Sequence, residues 1–390
     1  MLTLSLNLGE VTHARNKGGG GAPAGFSWMT DETGALLTDE WGAGLYALGE
    51  PTFASSAAIA EIASSRNILF GAAFDVSEYN SDAPYAALLN AESNIYGVGS
   101  DMKPAVTQPS QGVFNFARAD AFAARAALDA KPFRLHLLNY PAKELPWMTD
   151  EVCNAATWQG LIDAHFEAYA ARPWAQSVTS IDVTNEIMDG EEANPRNGFR
   201  DTVWYRAGGP GWVTYMFQKA RALWPNTPLY MCHDRLEQLT DGYGQRQAAW
   251  FLQMLENQLN AGAPITGVNF QCHLSFRLGF DAKRLRDFCE DIKSLGLKIM
   301  IGEFDVRTGN IGQFVPSNYT VTEYDRQGAL LARQVWDVLL PEVDGGEVLV
   351  WGLTDNHNSW EAGERPCLYD ESNVKKPLYD EVRNAFLGIS

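Results

Sequence analysis

The chain has 390 residues, and its 30 basic and 48 acidic side chains give a formal net charge of −18. This length suffices for one barrel domain of about 250 residues or more together with an appendage. The acidic balance repels phosphate backbones and anionic membrane surfaces, which excludes nucleic acids and membranes as expected partners.

Two further properties concern the compartment and the cysteines. No apolar run approaches the roughly 20 residues that span a bilayer, and residues 1–25 lack the basic-then-apolar order of a secretory signal. The cysteines are odd in number and show no metal-ligand spacing, so we expect mainly free thiols. They are Cys153, Cys232, Cys272, Cys289 and Cys367.

The first 55 residues differ from the rest of the chain. A glycine run at 18–21 precedes two similar octads, residues 30–37 (TDETGALL) and 38–45 (TDEWGAGL). Two copies are too few for a repeat solenoid. We expect residues 1–55 to be an N-terminal extension that packs on or trails from the main domain. A small β-element for attachment to a larger assembly is the alternative.

From about residue 60, short apolar runs alternate with amphipathic stretches, which is typical of βα units and a parallel sheet. The predicted strands are 68–74, 94–98, 133–138, 178–183, 229–232, 267–271, 298–301 and 348–351. The predicted helices are 117–130, 157–171, 212–223, 247–261, 282–295 and 323–340. Eight strands separated by helices favour an α/β fold, a (β/α)8 TIM barrel over residues 56–390, rather than a doubly wound sheet. Such barrels carry their chemistry at the carboxyl ends of the strands.

Two glutamates follow predicted strands at such ends. Glu186 closes residues 181–186 (IDVTNE), and Glu303 lies within residues 298–305 (KIMIGEFD). Alternation along a strand puts Glu303 and Asp305 on one face, which continues a row facing the barrel. A pair of carboxyls is what acetal cleavage needs, since one protonates the departing oxygen while the other attacks or stabilises the anomeric carbon. Close approach raises the pKa of one carboxyl and keeps it a proton donor.

Taken singly, neither motif is specific, and a structural carboxylate is the alternative at each position. The ordered set is more specific, because Gln271 and His273 follow the sixth predicted strand. Trp351 and Trp360 follow the eighth. From the residues alone, a place in the core is an equal alternative for both tryptophans.

With these motifs the chain resembles glycoside hydrolase family 10, the (β/α)8 endo-β-1,4-xylanases, from about Phe70 to the C-terminus. Residues 182–186 (DVTNE) are similar to the family's acid/base strand, residues 301–305 (IGEFD) to its nucleophile strand, and residues 351–360 (WGLTDNHNSW) to its last strand. Supporting matches are 71–73 (GAA), 102–103 (MK), 108–109 (QP), 112–116 (GVFNF), Arg134, His136 and 145–147 (LPW).

The resemblance implies a retaining mechanism with Glu186 as general acid/base and Glu303 as nucleophile. It also implies a set of substrate contacts. Asn185 hydrogen-bonds the sugar 2-hydroxyl, His273 orients the nucleophile, and Gln271 lines the same subsite. Lys103 hydrogen-bonds the sugar on the glycone side, and Trp351 and Trp360 form the floor and the wall of the site in which that sugar lies. His136 is a further substrate-binding candidate, with a hydrogen-bonded barrel residue as the alternative.

Three segments depart from the family pattern. Residues 99–101 (GSD) and Pro104 stand where the family shows Glu-Asn-Glu and Trp, which removes polar contacts to the second glycone sugar. Residues 137–141 (LLNYP) replace Thr-Leu-Val-Trp-His, so a histidine beside the cleaved sugar is missing. Residues 232–235 (CHDR) replace Asn-Asp-Tyr-Asn on the leaving-group side. The sequence therefore predicts the reaction type more firmly than the substrate.

Other polar residues near strand ends have weaker functional interpretations. His233 and Asp234 lack a third ligand at a recognisable spacing, which disfavours a metal site. Arg277 and Arg307 have the chemistry to bind an acidic sugar substituent, but solvated surface arginines are the favoured interpretation.

We expect a hydrolase that cleaves β-1,4-xylosidic bonds in xylan or xylo-oligosaccharides by double displacement. The alternatives are a family member retuned to a different β-glycan or glycoside, and a non-catalytic carbohydrate-binding barrel. We expect a polysaccharide or oligosaccharide substrate, a monomer, and no cofactor or metal ion. The resemblance suggests a secreted or periplasmic location, although the sequence contains no recognisable signal.

Overall fold

The computed structural model describes residues 57–275, 278–307, 320–360 and 363–388, together with the backbone of three short strands nearer the N-terminus. These strands are Thr12–His13, Phe26–Trp28 and Leu45–Leu48. They form an antiparallel sheet with Leu45–Leu48 in the centre. The glycine run and, apart from Leu45, both octads lie outside the described residues. The chain divides into two compact units, Met1–Ala57 and Ala58–Ser390.

The second unit is built on a curled sheet of parallel strands. Their spatial order is Ile95–Val98, Leu69–Phe74, Val343–Val350, Lys298–Arg307, Gly267–Phe270, Leu229–His233 and Ile181–Asn185. A short additional strand, His273–Ser275, pairs in parallel with the distal part of Lys298–Arg307.

Residues 133–138 close this sheet into a barrel, but they do not form the continuous strand that the sequence predicts. Phe133 bridges to Tyr96 on one side, and Leu135 bridges to Ile181 on the other. Two backbone hydrogen bonds hold the segment in place. Leu135 N donates to the Ser180 carbonyl at 2.9 Å, and Leu138 N donates to the Asp182 carbonyl at 3.0 Å. It therefore occupies the third position of a (β/α)8 barrel.

Helices surround the barrel and agree with the predicted ones to within a few residues at most ends. The predicted helices are observed as Ala117–Leu128, Trp158–Ala170, Gly211–Leu223, Gly242–Asn260, Ala282–Ser294 and Val321–Leu339. The others are Ile59–Ser65, Val76–Ser81, Ala83–Glu92, Pro104–Thr107, Val203–Gly208 and Pro377–Leu387. Single 3-10 turns occur at Pro141–Lys143, Ala175–Ser177, Leu340–Glu342 and Asp355–His357.

The largest disagreement at a helix end has a local cause. Gly242–Asn260 begins five residues before the predicted start at residue 247, because Asp241 caps it by accepting a 2.7 Å bond from Gly244 N. Two glycines in the first turn conceal this start from a pattern of apolar residues.

The core lies between the barrel strands and the helices that cover them. Lys298–Arg307 is buried continuously from Ile299 to Val306. Trp336, on the covering helix, packs edge-on against Phe304 with ring centroids 4.9 Å apart. All five cysteines are buried and free, which confirms that prediction. Within the described ranges, no helix combines the length and apolar composition needed to cross a bilayer.

Candidate active site

Glu186 stands at a sharp backbone bend directly after the strand Ile181–Asn185. Its φ of +52° is uncommon for a residue other than glycine. Two backbone bonds fix this bend, since Glu186 N donates to the Cys232 carbonyl at 3.1 Å and Arg200 Nε donates to the Glu186 carbonyl at 2.8 Å. The main chain at this position is therefore held from two sides.

The Glu186 carboxylate is held through one of its two oxygens. Oε1 accepts a 2.8 Å bond from the Tyr140 hydroxyl and a 2.9 Å bond from Gln271 Nε2. Asn185 Nδ2 lies farther away, at 3.4 Å, and the Asn185 carbonyl oxygen Oδ1 itself accepts from Gln271 at 3.0 Å. Among the described residues, every hydrogen bond to this carboxylate ends on Oε1, so Oε2 accepts no hydrogen bond from them.

Glu303 is buried within the strand Lys298–Arg307 and is surrounded by donors. His273 Nε2 lies 3.2 Å from Oε2, while Cys232 Sγ, at 3.3 Å, and His136 Nε2, at 3.7 Å, face Oε1. Burial alone raises the pKa of Glu303, but the charge on His136 and the bond and charge of His273 outweigh it and lower the pKa to about 2. The carboxylate is therefore ionised at neutral pH.

His273 connects Glu303 to a second carboxylate, because its Nδ1 lies 3.1 Å from Asp305 Oδ1. Burial lowers the pKa of His273, but Asp305 and Glu303 more than offset this effect and raise it to about 10. A positive charge is thus fixed beside Glu303. The contacts of both carboxylates with His273 agree with the alternation that places Glu303 and Asp305 on one face.

Cys232 and Gln271 link the two glutamates. The Cys232 carbonyl accepts from Glu186 N, while its thiol donates to Glu303 Oε1. The Gln271 carbonyl accepts from Glu303 N at 3.1 Å, while its side chain donates to Glu186. Both carboxyls therefore belong to one hydrogen-bonded unit at the same end of the barrel.

A buried ionic network of Arg134, Asp182 and Asn269 holds His136 in place. Arg134 Nη2 lies 2.6 Å from Asp182 Oδ1 in an ion pair, and His136 Nδ1 lies 2.8 Å from Asp182 Oδ2. Asn269 Nδ2 donates to both Asp182 oxygens. These contacts satisfy Asp182 and orient the His136 ring toward Glu303.

The same region has the atom types of a metal site, because His136, Asp182 and Cys232 bring potential ligand atoms within 4.8 Å of one another. The guanidinium of Arg134 already neutralises Asp182. Burial also raises the pKa of Cys232 well above its ordinary value, which keeps the thiol protonated and a poor ligand. The chemistry of this donor set favours an ion-pair network over a bound cation.

Aromatic and cationic side chains lie beside the glutamates. Trp351 Nε1 donates to Ser359 Oγ at 2.7 Å, and Lys103 Nζ lies 4.8 Å from the centre of a Trp351 ring. Trp360 Nε1 donates to Asp305 Oδ2. The Arg307 guanidinium stacks 3.8 Å over a Trp360 ring, so one face of that indole is covered.

The structure thus brings the predicted site residues into one contiguous group. They are Glu186, Glu303, Lys103, His136, Asn185, Gln271, His273, Trp351 and Trp360. Arg307 lies against Trp360 rather than on a solvated surface, and Arg277 lies outside the described residues. His233 is not brought into this group, because its Nε2 accepts from Met188 N at 3.0 Å and its Nδ1 lies 2.9 Å from Asp234.

Two contacting residues were missed by sequence reasoning. The sequence places Tyr140 only in the departing segment 137–141, whereas in the structure its hydroxyl donates to Glu186 Oε1. The sequence places Cys232 among the free thiols and in the departing segment 232–235, but it does not predict the contact of Cys232 with Glu303. Their places at the ends of predicted strands are the signal that could have found them.

Comparisons with known proteins identify the family and the fold. The model of Glycosyl hydrolase family 10 matches residues 58–385. Endo-1,4-beta-xylanase A of Cellvibrio japonicus is 30% identical over 301 residues. The match covers 70% of this chain and 48% of that protein, so it spans about half of that relative's length. An endo-1,4-beta-xylanase of Agaricus bisporus is 26% identical over 320 residues, or 80% of this chain and 89% of that protein. The crystal structure of xylanase 10B from Thermotoga petrophila RKU-1 in complex with xylobiose shares the fold, with a TM-score of 0.74 at 22% identity, covering 86% of this chain and 98% of that chain.

Proposed function

Because the chain belongs to glycosyl hydrolase family 10, we propose that it cleaves β-1,4-xylosidic bonds in xylan or xylo-oligosaccharides with retention of anomeric configuration. Two of its relatives carry the name endo-1,4-beta-xylanase. The observation that carries the proposal is the hydrogen-bonded unit of Cys232 and Gln271 that joins Glu186 to Glu303. We assign this activity to residues 56–390 and treat residues 1–55 as an extension.

In the first step, the ionised Glu303 attacks the anomeric carbon while Glu186 gives its proton to the departing glycosidic oxygen. The carbon–oxygen bond breaks, and a glycosyl ester forms on Glu303. In the second step, Glu186, now a carboxylate, takes a proton from water, whose oxygen attacks the same carbon and releases Glu303. Two inversions at one carbon give net retention.

The remaining side chains bind and orient the substrate. Asn185 bonds the 2-hydroxyl of the cleaved sugar, His273 holds the nucleophile, and Lys103 bonds the glycone. Gln271 lines the same subsite, and His136 lies on the other side of Glu303. Trp351 and Trp360 supply the apolar surfaces on which a sugar ring lies.

Substitution of each glutamate tests the proposal. Glu303→Ala should lower turnover of an aryl β-xylobioside by roughly 10⁴-fold or more, and azide should restore it with inverted product. Glu186→Ala should retain turnover only of substrates with good leaving groups, because these need no protonation. Glu290, exposed on the helix Ala282–Ser294, offers the control Glu290→Ala, which should match the parent. Parent-like turnover of xylan by both active-site variants is the result that would refute the assignment.

A second candidate is a retaining hydrolase retuned to another β-glycan. An open cleft adjoins Trp351 where the family's polar glycone contacts are replaced. Its lining includes Asp75, Glu78, Gly99, Ser100, Trp351 and Ser359. We infer that in this candidate the cleft takes a substituent of the glycone sugar. Initial rates on a panel of β-glycans and aryl glycosides distinguish the candidates, and xylan as the best substrate by a wide margin eliminates the second.

A further inference from the structure

Tyr140 occupies a position where its hydroxyl can control the general acid. It is the residue before the turn Pro141–Lys143, and its hydroxyl donates to Glu186 Oε1 at 2.8 Å. Burial, together with the adjacent Glu186 carboxylate, raises the pKa of Tyr140 above its ordinary value, so the phenol keeps its proton at neutral pH. It therefore acts as a hydrogen-bond donor to Glu186 at neutral pH.

The backbone around Tyr140 is tied to the strand that carries Glu186. Asn185 N donates to the Asn139 carbonyl at 3.0 Å, and Thr184 Oγ1 donates to Asn139 Oδ1 at 3.2 Å. Tyr140 and Glu186 are thus both placed by fixed main chain, and the bond between their side chains does not depend on a mobile loop. Pre-organisation of this kind is what makes a positioning contact effective.

We propose that Tyr140 is a positioning residue that, with Gln271, holds Oε1 of Glu186 and leaves Oε2 as the oxygen that carries the transferred proton. This inference rests on the proposed function, since it assigns the acid/base role to Glu186. Tyr140 contacts no reacting atom in this arrangement and acts through Glu186 alone. The other charged groups around the pair are Lys103, Arg200, Asp234 and Glu303.

The electrostatic consequence has a definite sign. A hydrogen bond donated to a carboxylate stabilises its ionised form. Tyr140→Phe removes that donor and preserves the ring, so Glu186 keeps its proton to higher pH. Activity that needs protonated Glu186 is then lost at higher pH than in the parent. We expect the alkaline limb of kcat/KM to move up by about one pH unit, the scale set by a hydrogen bond to a charged group.

The test compares the full-length parent, Tyr140→Phe and Tyr215→Phe on the glycoside that the parent hydrolyses best. Tyr215→Phe is a matched control, because the Tyr215 hydroxyl also donates to a carboxylate, Asp163, at 3.0 Å but in the helix layer. We expect an upward shift only in Tyr140→Phe. Its turnover of a dinitrophenyl glycoside, whose leaving group needs no proton, should change far less than that of an alkyl glycoside.

Other outcomes have different meanings. Superimposed pH profiles for the parent and Tyr140→Phe, or a higher KM with an unmoved alkaline limb, overturn the inference, and the higher KM would mean that Tyr140 binds sugar. A titration of the Glu186 carboxyl by carbon-13 NMR, without substrate, gives the same answer independently of turnover. If Glu186→Ala is still impaired, a failed shift overturns this inference alone. Parent-like turnover by Glu186→Ala overturns the proposed function as well.

Discussion

Glu303 remains ionised in a buried position because its neighbours supply positive charge and hydrogen-bond donors. Burial favours the protonated acid, whereas His136 and His273 favour the carboxylate, and their effect prevails. His273 is in turn kept charged by Asp305. The ionised state of Glu303 therefore depends on neighbouring side chains rather than on solvent.

This dependence predicts the effect of removing one charge. In His136→Gln, the pKa of Glu303 should rise from about 2, because a neighbouring positive charge that lowers it is lost. The acid limb of the kcat/KM profile should then move to higher pH by about one unit or more. Rates from about pH 2 to 7 on an aryl glycoside measure this shift, since the parent's limb lies near the Glu303 pKa of about 2. His357→Gln is the control, since the partner of His357 is Asp82. An unmoved acid limb in His136→Gln contradicts this account of Glu303.

At the scale of elements, the barrel requires close approach between its first two strands. Gly71 lies opposite Ile95 in the parallel pairing of Leu69–Phe74 with Ile95–Val98. A β-carbon at Gly71 would overlap the Ile95 carbonyl oxygen, which belongs to the main chain and cannot rotate away. A glycine in a strand marks this kind of backbone contact.

Gly71→Ala should therefore lower the free energy of unfolding by about 3 kcal/mol, the upper part of the usual range for overpacking. Gly160→Ala is the matched control, because Gly160 is exposed in the helix Trp158–Ala170 and has open space around it. It should be neutral or stabilise by about 0.5–1 kcal/mol, since alanine favours helix. Urea denaturation of both variants measures the difference. Equal free energies of unfolding for Gly71→Ala and Gly160→Ala would show that the two strands can move apart without loss of stability.

The sequence predicts a helix or strand well where burial of one face produces a periodic pattern of apolar residues. The helix Ala282–Ser294 is such a case, because its buried residues Leu285, Phe288, Cys289 and Ile292 repeat at helical spacing. The strand Lys298–Arg307 starts where it is predicted, but its burial is continuous and it extends beyond the predicted end at residue 301. Residues 133–138 have an apolar pattern too, but backbone pairing, which composition does not reveal, reduces them to isolated bridges.

The site shows the same division between what a motif contains and what three-dimensional contacts add. Glu186 and Glu303 are identifiable because each sits in a motif at a strand end. The bond from Tyr140 to Glu186 was not identifiable, since it joins residues 46 positions apart across neighbouring segments. The backbone bend at Glu186 likewise involves hydrogen bonds with Cys232 and Arg200, which lie outside its motif.

At the scale of the whole molecule, the barrel contains buried, paired charges of both signs, although the chain has a formal net charge of −18. Arg134 and Asp182 are fully buried and paired at 2.6 Å, and His273 is held between Glu303 and Asp305. Removing one member of such a group leaves the others without compensation, which is costly in an interior. Site chemistry and global stability are consequently linked through the same residues.

This link predicts a pH dependence of unfolding. The pKa of His273 is about 10 in the folded protein, above the ordinary 6.5. Between these values the folded state binds a proton that the unfolded state has lost, so stability falls as pH rises. The contribution is fully present below about pH 6.5 and is lost as pH rises through about 10. Thermal midpoints measured from pH 6 to 10.5 should therefore decline more steeply for the parent than for His273→Gln. Parallel declines in the two proteins would mean that His273 does not carry this charge in the folded state.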